Sequence, residues 1–168
     1  MTIVFHSDGF RPCAHARPER LFTFGFRTVL LGYQEESKES WTAAWNCFSK
    51  ELGTRDGRHA LDAVWQYARS CRENACRTLS FRPPYCSELC RDERLALGFV
   101  ASVQSEDRLL ARICADQLFR PTRFPAVEQA AFSLGAVFLA IGLRFNPILP
   151  DFLRLDVSSD SNSTPTLH

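Results

Sequence analysis

The sequence lacks the short motifs that mark the common enzyme classes. It contains no G-x-x-x-x-G-K-[ST] phosphate loop, no G-x-G-x-x-G dinucleotide motif, no H-E-x-x-H zinc motif and no G-x-S-x-G nucleophile turn. The Glu-x-x-His pairs that bind iron in helical bundles are also missing, and only four histidines are present. We therefore favour a protein that is not an enzyme, although catalytic groups that assemble from distant positions leave no such local signature.

Lysine and long apolar runs are also scarce. The 20 basic residues comprise 18 arginines and two lysines, an excess that codon bias explains. Because the net charge is only +1 and acids are interleaved with the arginines, we expect no binding to nucleic acid or to an anionic membrane. The longest nearly apolar run, 130–143, is too short to cross a bilayer, and the first residues do not resemble a secretory signal. We therefore predict a cytoplasmic protein with reduced thiols.

Helical periodicity is the clearest pattern that the sequence does contain. Trp41, Trp45, Phe48 and Leu52 recur at three- and four-residue steps, and Ser37 precedes them as a helix cap. Five other segments show related patterns. The six predicted helices begin at Pro18, Ser37, Arg58, Pro84, Ser105 and Pro125, with Ser87 as an alternative cap of the fourth. Residues 54–57 are expected to form a tight connector between the second and third helices.

These helices predict an all-α fold with one domain, a bundle of about six helices. The predicted organisation is an irregular N-terminal arm over 1–17, the helical bundle over 18–157 and a disordered C-terminal tail over 158–168.

The sixth predicted helix, from Pro125 to about Phe145, carries apolar residues around almost its whole circumference. Such a helix is either central in its own bundle or shared with a partner. Gly135 and Gly142 would let another helix approach closely. We therefore expect a regulatory or adaptor protein that binds a protein partner, or forms a homodimer, through an apolar helix such as 125–145.

An alternative function is suggested by the segment from Cys71 to Cys90, which holds four of the seven cysteines. If the fourth helix begins near Pro84, Cys86, Cys90 and Glu93 lie on one stripe and are close enough to bind one ion. Thiolates favour Zn²⁺ or an iron–sulfur cluster, and a thiol at a helix N-terminus suits redox sensing.

The remaining cysteines of that segment fit a shared metal site poorly. Cys71 and Cys76 fall about 140° apart around the third predicted helix, so they cannot both face one ion. Either one alone is a candidate for a further ligand beside Cys86, Cys90 and Glu93. The spacing Cys-x3-Cys also differs from the usual zinc pairs. Because free cysteine often packs as a small buried hydrophobe, we favour a packing role and no cofactor.

Two carboxylates beside these cysteines stand on an apolar stripe. Asp92 and Glu93 must be paired there, since an unpaired buried charge is unstable. Their expected partners are Arg72, Arg77 and Arg82. We favour a structural network of ion pairs where the third and fourth helices meet. The alternative is a polar cleft that binds a ligand or an arginine of a partner.

Three tryptophans supply the last candidate site. Trp41, Trp45 and Trp65, with nearby arginines, could line a pocket for a small planar ligand. Large rings are more often part of the core, so small-ligand binding ranks behind the other two functions.

Overall fold

The computed structural model describes residues 17–146, which fold into an all-α, single-domain bundle. The chain forms six α-helices in this range, numbered here in their order along the sequence. They are α1 (Arg17–Glu35), α2 (Lys38–Leu52), α3 (Thr54–Asn74), α4 (Arg91–Gln104), α5 (Arg108–Leu118) and α6 (Phe124–Ala140). A short 3-10 turn over Pro121–Arg123 precedes α6. The expected all-α class is confirmed, whereas the predicted arm before residue 17 and the predicted tail lie outside the described residues.

The centre of the bundle is α1, which packs against α2, α3 and α4. All ten residues of the segment 21–30 are buried. Close packing against α2 depends on two glycines of α1. A side chain at Gly25 would meet the ring of Phe48 at 2.8 Å, and one at Gly32 would meet Trp41 at 2.9 Å. The helix buried on all sides is therefore α1 and not the more apolar α6.

A single residue, Gly53, connects α2 to α3. It ends α2 with a backbone φ of +81°, a conformation that favours glycine. Ser37 caps α2 as expected, accepting a hydrogen bond from the amide of Ser40. The predicted connector over 54–57 is wrong, since these residues form the first turn of α3. Gly57 lies against the end of α2, where an added Cβ would be 2.7 Å from the carbonyl oxygen of Phe48.

The fourth helix begins later than predicted. Its first residue is Arg91 and not Pro84, so residues 75–90 form a long irregular segment, here called the junction loop. The fifth helix is capped by Asp107, whose Oδ1 accepts the amide hydrogen of Leu110 at 3.0 Å, and not by Ser105. The short turn between them makes α4 and α5 a helical hairpin with extensive contact.

The C-terminal end of α6 is held by one side chain of α4. Gln104 donates its amide hydrogens to the carbonyl oxygens of Gly135 at 3.0 Å and Leu143 at 3.4 Å. Its Oε1 accepts the backbone N–H of Phe145 at 2.8 Å. This clamp explains why α6 ends at Ala140, five residues before the predicted end. The chain then turns through Gly142, which has a φ of +79°.

None of the helices described between residues 17 and 146 combines the length and the apolar character that a membrane crossing requires.

Substitution of Gly57 by alanine tests the close contact between α2 and α3. Helix propensity alone would make Gly57→Ala stabilising by about 1 kcal/mol. Because the new Cβ would clash with the backbone of Phe48, we expect instead a loss of about 1–3 kcal/mol in the free energy of unfolding. Urea denaturation followed by circular dichroism measures this difference. An increase in stability would contradict the packing described here.

Candidate functional site

The junction loop is the longest stretch without helix among the described residues. It begins beside the end of α5, where the amide of Cys76 donates to the carbonyl oxygen of Leu118 at 2.9 Å. The amide of Arg120 donates in return to the carbonyl oxygen of Asn74 at 3.2 Å. Long loops inside a compact domain are often functional, so the contacts that hold this one decide what it can do.

A buried arginine of α1 organises the loop. Arg27 is 1% exposed, and its guanidinium group meets the carboxylate of Glu93 through Nε at 2.5 Å and Nη2 at 2.9 Å. Its remaining donors bind backbone carbonyl oxygens of the loop. They are those of Pro83 at 3.3 Å, Cys86 at 2.6 Å and Glu88 at 2.5 Å. All five N–H donors of the guanidinium group are therefore used.

The carboxylate of Glu93 likewise has all of its acceptor positions occupied. Besides the two bonds from Arg27, its Oε1 accepts the amide of Arg82 at 2.9 Å and its Oε2 accepts the amide of Cys90 at 2.8 Å. Each carboxylate oxygen thus receives two hydrogen bonds. Because Glu93 lies in the first turn of α4, its negative charge also interacts favourably with the partial positive charge at the N-terminus of that helix.

Asp92 holds the other side of the loop. Arg77 donates to both of its oxygens at 2.6 Å, and the amide of Ser80 donates to Oδ2 at 2.8 Å. Burial favours the neutral carboxyl, but the Arg77 guanidinium and the Ser80 amide outweigh it and lower the pKa of Asp92.

The structure brings together only some of the predicted charged residues. Arg77 pairs with Asp92, whereas Arg82 contributes its backbone amide and Arg72 lies over the ring of Tyr33 at 5.0 Å. The pairing of Glu93 with Arg27 was missed. Its signal was present, since Arg27 is the one charged residue in the apolar segment 21–33.

These contacts favour the structural interpretation of the two carboxylates. Every acceptor position of Glu93 is occupied by a donor of this chain, and Arg27 has no donor left for a ligand. A bound group would have to break contacts that hold the junction loop. The polar cleft remains a prediction that this geometry does not favour.

The cysteines do not form the predicted stripe. Because α4 begins at Arg91, Cys86 lies in the junction loop and Cys90 lies at the cap of the helix. Cys71 is fully buried in α3 and Cys76 is exposed beyond its end, so these two also point to different surroundings. Within residues 17–146 no three His, Cys, Asp or Glu side chains are grouped to hold a metal ion.

The thiol of Cys90 also differs from the expected activated thiol. Burial is the largest influence on it and raises its pKa above the ordinary value, although the position at a helix N-terminus acts in the opposite direction. Its Sγ donates to the carbonyl oxygen of Ser80 at 3.2 Å, adding one more contact across the loop. Zinc, an iron–sulfur cluster and redox sensing remain predictions. Their candidate residues are still Cys86, Cys90 and Glu93, with Cys71 and Cys76.

Two of the three predicted tryptophans meet at Tyr33. Trp41 contacts the Tyr33 ring edge-on with centroids 5.6 Å apart, and Trp65 stacks on it at 6.4 Å. Among the described residues Trp45 makes no ring contact with this group. The predicted ligand pocket would thus contain the ring of Tyr33, which contacts both indoles. Small-ligand binding remains a prediction.

Large apolar side chains that face solvent lie on α6, on α5 and, as Tyr85, in the junction loop. One side of α6 is buried in the core through Val127, Ala131, Leu134 and Phe138. On the opposite side Phe132 is 61% exposed and Leu139 is 39% exposed. We call this side the outer face of α6. Its members are Glu128, Gln129, Phe132, Ala136, Leu139 and Ala140, all of which are exposed.

Replacement of Arg27 by methionine tests the buried ion pair. Arg27→Met removes two of the four donors to the Glu93 carboxylate and the side-chain donors to three loop carbonyls. We expect a loss of about 3–5 kcal/mol in the free energy of unfolding. Faster tryptic cleavage after Arg77 should accompany it. The control is Arg69→Met, which removes an exposed ion pair with Glu73 and should change stability little. Equal effects of the two substitutions would contradict a structural role for Arg27.

The lowered pKa of Asp92 predicts a pH-dependent contribution to stability. The ionised carboxylate stabilises the fold at pH values above its ordinary pKa of 3.8, and this stabilisation is lost as the pH falls through its lower folded pKa. The difference in melting temperature between the wild type and Asp92→Asn should therefore shrink between about pH 6 and about pH 3. Asp116→Asn, which alters an exposed pair, is the control. A constant difference across this range would argue against the assigned shift.

Comparison of this chain with models of protein families, with curated protein sequences and with solved structures finds no match.

Proposed function

We propose that this protein is a non-enzymatic regulatory or adaptor protein that binds another protein through the outer face of α6. The observation that carries the proposal is the exposure of Phe132 and Leu139 on one face of a helix whose other face lies in the core. Ala136 and Ala140 continue this face without any charge. Apolar side chains that cluster at the surface in this way are typical of protein-binding sites.

The chemistry of the face fits recognition of a helix or a groove. A phenylalanine at the centre of an interface contributes a large apolar area with few rotatable bonds. Small neighbours such as Ala136 let a partner's backbone approach closely. Residues at i, i+4 and i+7, as in Phe132, Ala136 and Leu139, are the anchors that helices use in such complexes.

The junction loop supports the same proposal, because its charged groups are not free to bind a ligand. The most prominent charged groups of the chain, Arg27, Glu93 and Asp92, are occupied with each other and with loop backbone. They therefore offer no free acid, base or anion site at this junction.

A cytoplasmic location is part of the proposal. Six cysteines lie in the described range, and all of them are free thiols. This is the usual state in a reducing compartment, and the burial of Cys71 and Cys114 is consistent with packing roles.

Site-specific photo-cross-linking in cells that naturally make this protein tests the proposal. A photoreactive phenylalanine analogue at position 132 should give a discrete cross-linked protein. The same probe at Leu109, which is 74% exposed on α5, should not give that product. Ala136→Glu should abolish the product from position 132 because it places a charge on the apolar face.

The matched control is Ala126→Glu, the same substitution at an exposed position about 120° from Phe132 around α6. It should leave the cross-linked product intact. Unchanged melting temperatures would show that both variants fold. If the probe at position 132 gives no discrete cross-linked product, the proposal is wrong.

A further inference from the structure

We draw no further inference here: the strongest candidate, the exposed apolar patch of Phe132 and Leu139 on the outer face of α6, already carries the proposed function, and nothing in the part of the chain that the structure describes shows which partner covers it.

Discussion

The buried guanidinium group of Arg27 is the constraint on which the arrangement of this protein depends. A charge that is 1% exposed in the middle of the central helix is tolerated only if every donor is satisfied. Arg27 finds two of its acceptors on Glu93 and three on backbone carbonyls of the junction loop. The central helix, the loop and the start of α4 must therefore adopt their positions together, because none of the three satisfies its polar groups alone.

This constraint also explains the shape of the loop. Local rules allow a helix to begin at Pro84, since proline suits a first turn. The structure instead begins α4 at Arg91, because Arg27 takes the carbonyl oxygens of Cys86 and Glu88, and Glu93 takes the amide of Cys90, all of which a helix from Pro84 would use internally. Those hydrogen bonds compete with a helical path and hold the loop across the end of the bundle. The cysteines of the region follow the loop and do not share one helical face.

The function then has to be sought where polar groups are not already satisfied internally. The charged cluster at the junction is directed inwards, and the aromatic group around Tyr33 is filled by its own side chains. The outer face of α6 differs, because Phe132 and Leu139 are exposed there on a helix whose other side lies in the core. This exposed apolar face is the observation behind the proposed protein-binding role.

By itself the sequence determined the helical class, the number of helices, the cap of α2 at Ser37 and the hairpin of α4 and α5. These features depend on periodicity and on short-range hydrogen bonds, which neighbouring residues specify. Only the tertiary structure decided that α1 is central, that α6 keeps one face in solvent, and that Glu93 pairs with Arg27 across 66 positions. Periodicity shows which residues avoid water but not which element covers them, and the acceptors of Arg27 come together only when the loop folds over α1.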